Sequence, residues 1–579
     1  MGDLQRRRVK VVVLGLSIIY LGLMSRLSYL QLIKYPALSS KARTQHFFKV
    51  RLEPRRGDIL DSRGQALALS LDKCSIYVHP HKLKDKLKAA DLLSKVLALD
   101  KETCLTKLSG EAPFVWLKRK ADREEYESVK RLKLEGVGFI EEARRYYPQT
   151  SLGANVLGFV GLDNQGLEGI EKRFNSLLAG FPGEYLVERD ARGREISSYI
   201  VRMIKPVEGG SIYLTIDSVI QNIAEEKLAE TIRKARARAG VAIVMDPRSG
   251  AILAMASSPT FDPNNFGQFS QPSYRNLAVS LVFEPGSTFK SITAAAALET
   301  NTFKPEDRIY CENGAVRVAN YIIHDHEPYG WLSFSQAIEK SSNIGLLKVG
   351  QKVGSDNLYN IIRAFGFGRE TGLEISGEEK GIVPGLRSWK PINTATISFG
   401  QGIAVTPLQM VCAYAAIANG GVWNRPYLVK EVIGPEGIPL KKSFSAEGAE
   451  GKRVISIETS FRLRDILRRV VEDGTGQGAK IEGIDIAGKT GTAQKISSEG
   501  GYQNGKYVAS FLGFFPVDRP RVLIAVFVDE PGGVYYGGVV AAPCFREMAK
   551  EIYAYLRLGE PLERIYMSSS LVPLSTITD

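Results

Sequence analysis

The sequence is poor in the residues that build metal centres and covalent cross-links. Only five of its 579 residues are histidines and five are cysteines. Because zinc sites and disulfide frameworks need cysteines at short, regular spacing, the distances between these cysteines predict neither. We expect no metal and no cofactor. The five cysteines are Cys74, Cys104, Cys311, Cys412 and Cys544.

The sequence also lacks a dense basic run interleaved with aromatic residues. Nucleic acid binding is therefore not predicted. Hydrophobic residues make up 44% of the chain and charged residues 24%, which is usual for a globular protein. This composition excludes a disordered, collagen-like or polytopic membrane chain. The net charge of +13 favours polyanions or anionic membrane surfaces as neighbours.

An apolar segment at the N-terminus is long enough to cross a membrane. The basic cluster at 6–10 precedes a stretch from 11 to 33 in which Arg26 is the one charged residue. A crossing needs about 20 mostly apolar residues. A cleaved signal peptide is the alternative, but no small-residue cleavage site follows. We predict a cytoplasmic tail at 1–10 and a retained anchor at 11–33 in the plasma (inner) membrane.

The rest of the chain divides into a region without a catalytic cluster and a region with an α+β pattern. Residues 34–205 mix short strands and helices with glycine-rich turns. Residues 206–560 alternate strands and helices in a way that predicts an α+β domain, with an antiparallel sheet flanked by helices. The Ser/Thr-rich tail at 561–579 is expected to be flexible. The strands predicted in the second region are Ser211–Ile216, Val241–Met245, Ala251–Ala256, Val508–Phe514 and Val522–Val528.

The strongest chemical signal is Ser287-Thr288-Phe289-Lys290. Turn residues precede it and an Ala-rich, helix-forming segment follows, so Ser287 is predicted at a helix N-terminus with Lys290 on the same face. A serine hydroxyl becomes a good nucleophile only when a nearby base takes its proton. A lysine can be that base if burial and a neighbouring cation lower its pKa. Alone the motif is weak, because Ser70–Lys73 also matches it between strand-like segments.

Two further motifs follow in order. Ser341-Ser342-Asn343 comes after a predicted amphipathic helix, and its Ser and Asn can relay a proton and orient a substrate amide. Lys489-Thr490-Gly491-Thr492 comes after a strand-like segment, and its glycine lets a substrate backbone approach the strand closely. The lysine and the two threonine hydroxyls are predicted to hold a carboxylate.

Two other patterns compete with this interpretation. Residues 483–490 also fit the Walker A pattern, but their interior favours a strand and Thr490–Thr492 resists the helix that a phosphate loop needs. A P-loop nucleotide-binding protein therefore stays a distant alternative. His324-Asp325-His326 could suggest a metal site or a catalytic triad, but a polar loop is the better interpretation because no further ligand cluster lies nearby.

Together the three motifs resemble the S-x-x-K, S-x-N and K-T-G set of penicillin-recognising serine enzymes. The resemblance extends over most of the chain and is closest to class B penicillin-binding proteins. Gly180–Arg194 and Phe365–Ile375 are most similar to the division-specific FtsI type, and a C-terminal extension typical of spore relatives is not seen. Other segments similar to class B proteins are Arg56–Gly64, Arg145–Pro148, Gly166–Glu171, Ser398–Gly402 and Thr406–Gln409.

The resemblance implies a peptidoglycan D,D-transpeptidase with a serine acyl-enzyme, acting in septal cell-wall synthesis. Ser287 would attack, Lys290 would act as base, and Ser341 and Asn343 would assist proton transfer and positioning. Lys489, with Thr490, Gly491 and Thr492, would bind the terminal carboxylate of the donor stem peptide. The N–H groups of Ser287 and Thr492 would form the oxyanion hole. Beta-lactams would acylate the same serine.

The resemblance also implies a domain plan and partners. Residues 34–205 would form an elongated α+β pedestal of the dimerisation type, and 206–560 the transpeptidase domain, similar in fold to serine beta-lactamases. The catalytic domain would be periplasmic, with lipid II-derived glycan strands as substrates and an FtsW-type glycosyltransferase among its division partners.

Several alternatives remain open at this point. An elongation-type transpeptidase or a D,D-carboxypeptidase carries the same motifs. A class A beta-lactamase is disfavoured, since no E-x-x-L-N stretch lies between Asn343 and Lys489 to activate water. A receptor that senses beta-lactams by acylation is disfavoured too, because ten residues before the span leave no room for a signalling domain.

Overall fold

The computed structural model describes residues 2–110, 112, 114–188, 202–319, 321–442, 451–496 and 501–558. The tail predicted at 561–579 and residues 189–194 of the segment 180–194 lie outside them. The chain forms two compact units, one made of 1–55 with 180–208 and one of 56–179 with 209–579.

The helices of the described residues are α1 Asp3–Ser28, α2 Tyr35–His46, α3 Lys86–Leu97, α4 Lys101–Ser109, α5 Arg123–Arg131, α6 Ala154–Leu157, α7 Gly169–Arg173, α8 Asn175–Leu178, α9 Ser218–Ala235, α10 Leu277–Ser280, α11 Lys290–Glu299, α12 Phe334–Glu339, α13 Asn343–Val353, α14 Ser355–Ala364, α15 Pro391–Ile397, α16 Pro407–Ala418, α17 Ile457–Glu472 and α18 Gly537–Tyr555. The strands are β1 Phe47–Leu52, β2 Ile59–Leu60, β3 Ala66–Val78, β4 Val115–Ala121, β5 Val137–Tyr146, β6 Gly183–Glu188, β7 Arg202–Ile204, β8 Ser211–Leu214, β9 Ala239–Met245, β10 Ile252–Ser258, β11 Arg308–Tyr310, β12 Ala315–Val318, β13 Tyr321–His324, β14 Trp331–Ser333, β15 Val422–Trp423, β16 Val429–Ile433, β17 Pro439–Lys442, β18 Lys452–Arg453, β19 Ala487–Ile496, β20 Tyr502–Phe515 and β21 Val522–Asp529.

The smaller unit begins with a long apolar helix. Helix α1 continues through a π-helical turn at Tyr29–Ile33. The stretch Asp3–Ile33 has 31 residues and contains an 18-residue segment with a mean hydropathy of 1.9, so it is long and apolar enough to cross a membrane. Strands β1, β6 and β7 of this unit form an antiparallel sheet in the order β1-β6-β7.

The central feature of the larger unit is a five-stranded antiparallel sheet in the order β10-β9-β21-β20-β19. Its strands β9, β10, β20 and β21 lie where four of the five strands were predicted. Successive side chains of a strand point to opposite faces. Ala242 and Val244 accordingly pack with α9 and α18 on one side, whereas Val241 and Ile243 join the core that contains the buried helices α11 and α16 on the other. The α+β fold with helices flanking an antiparallel sheet is thus confirmed.

A second sheet joins strands from the N-terminal and C-terminal parts of this unit. Its order is β17-β16-β8-β2-β3-β4, and β5 also pairs with β3. Strand β2 runs parallel to β8, with Ile59 opposite Ile212, and antiparallel to β3. Residues near 59 and near 212 therefore belong to one hydrogen-bonded layer.

A buried cluster of ion pairs connects three segments of this unit that are far apart in sequence. The Glu171 carboxylate accepts from Arg56 Nε at 2.5 Å and from Arg145 Nε at 2.6 Å. The three side chains are 0–1% exposed. Arg56 also donates to the backbone of Asn164 and Glu171, and Arg145 donates to the backbone of Gly57. Glu171 is thus the shared counter-ion of two buried guanidinium groups.

Candidate active site

The serine of the first motif lies on a tight turn that leads into a buried helix. Residues Gly286–Phe289 form a 3₁₀ turn, and α11 starts at Lys290. The turn is held from both sides, because Thr288 Oγ1 donates to the Pro285 carbonyl and the Tyr414 hydroxyl donates to the Thr288 carbonyl. Ser287 is partly exposed on this turn, so a substrate can reach its hydroxyl.

A buried carboxylate ties the same turn to two other segments. Glu284 Oε1 accepts from the Gly402 N–H at 2.7 Å, and Oε2 accepts from the Tyr502 hydroxyl at 3.1 Å. Burial raises the pKa of the Glu284 carboxyl. The position of the turn therefore depends on the loop at 398–402 and on the start of β20.

Lys290 is fully buried and contacts the second motif. Its Nζ donates to the Ser341 carbonyl at 2.5 Å and to the Ser341 Oγ at 3.1 Å, and the side chain is 0% exposed. Burial holds the pKa of Lys290 well below its ordinary value, and the positive charge of Lys489 lowers it further. An amine whose ammonium form is disfavoured, and which contacts the Ser341 hydroxyl, is a group that can accept a proton.

The second motif spans the turn between α12 and α13. Ser341 has a φ of 60°, and Asn343 is the first residue of α13. Asn343 Nδ2 donates to the His324 carbonyl at 2.9 Å, so this side chain is oriented by the segment before α13. Ser341 therefore lies beside Lys290, and Asn343 lies two residues further along the same turn.

The third motif lies on the edge strand β19. Lys489 is 0% exposed, and burial lowers its pKa to about 7. Its Nζ lies 3.3–3.4 Å from the carbonyl and hydroxyl oxygens of Thr490 and from the Thr475 hydroxyl. These contacts are at the long end of hydrogen bonding, so the ammonium group keeps capacity for an anionic ligand.

Gly491 permits the closest approach between the first and third motifs. A Cβ at this position would lie 2.4 Å from Ser510 Oγ and 2.8 Å from Thr288 Cγ2. Next to it, the Thr492 hydroxyl accepts from the Gly537 N–H at the start of α18. Strand β19 therefore packs directly on the turn that carries Ser287.

Sequence reasoning missed Thr475, which belongs to none of the three motifs. Its hydroxyl lies 2.8 Å from the Thr490 hydroxyl and within 3.4 Å of Lys489 Nζ. The one local signal is the Gly-Thr-Gly run at 474–476. Gly474 fits there because a Cβ would lie 2.6 Å from the Glu339 carbonyl oxygen.

The second S-x-x-K match and the Walker-like segment do not have the local structure that their alternative functions require. Ser70 and Lys73 are on strand β3, where Ser70 Oγ donates to the Arg56 carbonyl and Lys73 pairs with Asp122. In the Walker-like segment Lys489 is inside a strand and no helix begins there, which is the wrong geometry for a phosphate loop. Within the described residues, no group of three His, Cys, Asp or Glu side chains could hold a metal ion.

Two domain families match the chain. The penicillin binding protein transpeptidase domain matches residues 240–550. The penicillin-binding protein dimerisation domain matches residues 51–214. The three motifs all lie within the first match.

Curated relatives are similar over nearly the whole chain. Stage V sporulation protein D of Bacillus subtilis is 36% identical over 93% of this chain and 84% of its own length. The probable peptidoglycan D,D-transpeptidase PenA of Neisseria gonorrhoeae is 33% identical over 93% of this chain and 91% of its own. The peptidoglycan D,D-transpeptidase FtsI of Escherichia coli K12 is 32% identical over 90% and 87%.

Solved structures are similar in fold over most of the chain. A peptidoglycan synthetase from Bifidobacterium adolescentis has a TM-score of 0.71 at 26% identity and covers 92% of this chain and 98% of its own. Penicillin binding protein 3 from Mycobacterium tuberculosis in complex with aztreonam has a TM-score of 0.70 at 28% identity and covers 88% and 98%.

Proposed function

The chain belongs to the class B penicillin-binding proteins, and from this premise we propose which residues carry its reaction. It is a serine-type peptidoglycan D,D-transpeptidase of cell-wall synthesis and a target of beta-lactams. We propose Ser287 as the nucleophile, Lys290 as the general base, Ser341 and Asn343 as assisting groups, and Lys489 as the anchor of the substrate carboxylate.

The contact between Lys290 and Ser341 is the observation that carries this assignment. A buried lysine with a lowered pKa lies at the start of α11, three residues after Ser287. Its Nζ donates hydrogen bonds to Ser341. A lysine used only as a charged partner would need a carboxylate beside it. Here its nearest hydrogen-bond acceptors are neutral, which suits a base.

Acylation follows from these positions. The Ser287 oxygen attacks the carbonyl carbon of the penultimate D-Ala, and neutral Lys290 accepts the hydroxyl proton. The backbone N–H groups of Ser287 and Thr492 donate hydrogen bonds to the developing oxyanion. The C–N bond then breaks, and Ser341 passes the proton from Lys290 to the leaving nitrogen. Free D-Ala departs and an ester on Ser287 remains.

The second half of the reaction forms the cross-link. An amine from another stem peptide attacks the ester carbon and transfers its proton to Lys290 through Ser341. The bond between the carbon and the Ser287 oxygen breaks, and the serine regains a proton. A new amide joins the two peptides, and the enzyme returns to its first state.

Lys489 gives the site its preference for a terminal carboxylate. Its ammonium group and the hydroxyl groups of Thr490 and Thr492 supply donors on one edge strand. Gly491 allows the peptide backbone to lie against that strand. Donor peptides ending in free D-Ala, and beta-lactams with a carboxylate at the same place, meet this requirement.

We further propose the setting of the enzyme. The apolar helix anchors it at 11–33, with the tail 1–10 in the cytoplasm and the catalytic domain at 206–560 on the outer side of the plasma membrane. The pedestal at 34–205 carries the catalytic domain and offers the surface for an FtsW-type glycosyltransferase and other division proteins. The basic cluster at 6–10 supports this orientation.

Septal synthesis during division is the role that we favour, because relatives named FtsI cover about nine-tenths of the chain. A role in spore-wall synthesis is the second candidate, since Stage V sporulation protein D is 36% identical. Depletion of the protein separates these roles. If the enzyme acts at the septum, depleted cells should grow as filaments. If it acts in sporulation, depleted cells should grow normally and form defective spores.

Product analysis tests the transpeptidase assignment. The full chain in detergent is incubated with glycan strands that carry pentapeptide stems, and the digested products are resolved by mass spectrometry. Cross-linked dimers and released D-Ala are expected, together with a penicillin adduct that lasts for hours. Released D-Ala without dimers would indicate a carboxypeptidase, and an adduct that clears within seconds would indicate a hydrolase.

Replacing Gly491 by alanine should slow acylation. The added methyl group would overlap Ser510 Oγ and Thr288 Cγ2, so β19 must move away from the nucleophile turn. Because misplacement by about 1 Å can cost about 100-fold in rate, we expect a loss of that order in the rate of acylation by a fluorescent penicillin. Gly267→Ala is the control, since a Cβ there meets nothing within 4 Å. Equal rates for both variants would contradict the close packing.

The affinity for a penicillin should fall as pH rises. The pKa of Lys489 is lowered to about 7 by burial, so its ammonium form is complete below that pH and is lost above it. We expect the dissociation constant of the initial complex to rise about tenfold per pH unit above about pH 7. The acylation step itself should not slow, because a rise in pH can only increase the neutral fraction of Lys290. Stopped-flow separation of the two constants checks this, and a flat dissociation constant would overturn it.

A further inference from the structure

Ser341 has a backbone conformation that its neighbours must hold in place. Its φ of 60° lies in the left-handed region, which a non-glycine residue adopts only at an energetic cost. The same residue accepts two hydrogen bonds from Lys290. A relaxed turn would therefore move Ser341 away from the base.

The residues that follow Ser341 are bound by one carboxylate. Asp325 Oδ2 accepts from Ser342 Oγ at 2.6 Å. Asp325 Oδ1 accepts from the backbone N–H groups of Asn343 and Ile344. These are first-turn N–H groups of α13, which has no intrahelical acceptors for them. Asp325 thus fixes the backbone that immediately follows the strained serine.

The adjoining residue orients the third member of the motif. The His324 carbonyl accepts from Asn343 Nδ2, and the Asp325 N–H donates to the Gly314 carbonyl at 3.0 Å. His324 ends β13, whose partner β12 begins at Ala315. The turn at 324–325 is therefore supported by a hairpin and not by α13 itself.

Asp325 also acts on the base electrostatically. Three effects act on the pKa of Lys290: burial disfavours its ammonium form, the positive charge of Lys489 on β19 disfavours it further, and the Asp325 carboxylate stabilises it. The negative charge therefore holds the pKa of Lys290 higher than burial and Lys489 alone would leave it. Removing that charge should lower the pH at which Lys290 becomes neutral.

We propose that Asp325 is a positioning residue of the acylation reaction, which holds the Ser341–Asn343 turn against Lys290 and supplies a negative charge that counters, at Lys290, the positive charge of Lys489. The proposal rests on the proposed function, in which Lys290 is the base. Asp325 touches neither substrate nor the reacting atoms; it acts through Ser342, Asn343 and Lys290.

Substitution of the carboxylate by its neutral isostere tests the proposal. The full-length chain in detergent and Asp325→Asn are reacted with a fluorescent penicillin across a range of pH. We expect the maximal acylation rate to fall about tenfold to 100-fold. We also expect the acidic limb of the pH–rate profile to move to lower pH, because a negative charge that favours the ammonium form of Lys290 has been removed.

Ser342→Ala is the matched control. It removes the 2.6 Å hydrogen bond to Asp325 and changes no charge. Its rate should fall, and its acidic limb should stay where the wild-type limb lies. Asp325→Glu provides a second variant that keeps the charge on a longer side chain. Asp325→Glu should be acylated more slowly than the wild type, with the acidic limb of its pH–rate profile unchanged. This variant still tests the proposal if Asp325→Asn does not fold.

The outcomes separate this proposal from the function on which it rests. A wild-type chain that forms no adduct would overturn the proposed function. A wild-type chain that is acylated normally, with Asp325→Asn at the same rate and with the same limb, would overturn the role of Asp325 alone. A shift of the acidic limb of the pH–rate profile in Ser342→Ala would also overturn the role of Asp325. Packing, and not the charge of Asp325, would then set the proton affinity of Lys290.

Discussion

Ser287→Ala is expected to abolish the covalent reaction with penicillins. The hydroxyl of Ser287 is the only oxygen that the proposed mechanism acylates, and alanine leaves the 3₁₀ turn and α11 intact. Intact-mass analysis of the full chain should show one penicillin adduct on the wild type and none on the variant. In rate terms the loss is on the order of 10⁴-fold or more, as for other enzymes deprived of their nucleophile.

Ser70→Ala is the control for this result. Ser70 belongs to the other S-x-x-K match, which lies in the middle of β3, where its hydroxyl donates to the Arg56 carbonyl. This variant should form the adduct at the wild-type rate. An adduct that persists on correctly folded Ser287→Ala, or that disappears with Ser70→Ala, would contradict the assignment of the nucleophile.

Glu171→Gln is expected to destabilise the larger unit by about 3–5 kcal/mol. Glutamine has nearly the same shape, but it removes the negative charge shared by Arg56 and Arg145. Both guanidinium groups would then be buried at about 1% exposure without a counter-ion. Tyr147 lies in the same cluster, 3.3 Å from the carboxylate, and burial with the Glu171 charge raises the pKa of its phenol. Denaturant unfolding should show the loss in the free energy of unfolding.

Asp163→Asn is the matched control for the ionic cluster. Asp163 also pairs with an arginine, Arg119, but its side chain is 71% exposed. Exposed pairs contribute about 0–1 kcal/mol, so this variant should unfold nearly as the wild type does. The fraction of Glu171→Gln that stays folded should still acylate, because the cluster contains no group of the proposed mechanism. Equal stability of the two variants would show that Glu171 is not the essential counter-ion.

The chemistry of this chain could be predicted from short stretches of sequence because each motif is a local object. Ser287 and Lys290 are three residues apart, and turn residues before them with alanines after them favour a turn that leads into a helix. Structure confirms that geometry, with the helix starting at Lys290. The sequence predicted a strand-like segment at 484–487, before Lys489, whereas β19 runs from Ala487 to Ile496 and contains the motif itself. The roles of these residues stay predictions.

Two supporting residues could not be predicted, for a different physical reason. Asp325 was interpreted as part of a polar loop, and Thr475 was not singled out. Asp325 acts on a helix that starts 18 residues later, and Thr475 meets Thr490 across 15 residues. Neither position carries a periodic or local pattern, since a hydrogen bond to a distant segment depends on how helices and strands pack.

By itself, the sequence determined the local chemistry: an apolar N-terminal segment, a serine and a lysine where a turn leads into a helix, and a lysine just after a strand-like segment. These properties depend on residue type and on spacing within a few positions. Only the tertiary structure decided that Lys290 meets Ser341, that Glu171 is shared by two arginines, and that Gly491 packs against the turn that carries Ser287. Burial then decides the proton affinity of Lys290 and Lys489, because removal of water disfavours their charged forms, and water is excluded only when distant segments pack together.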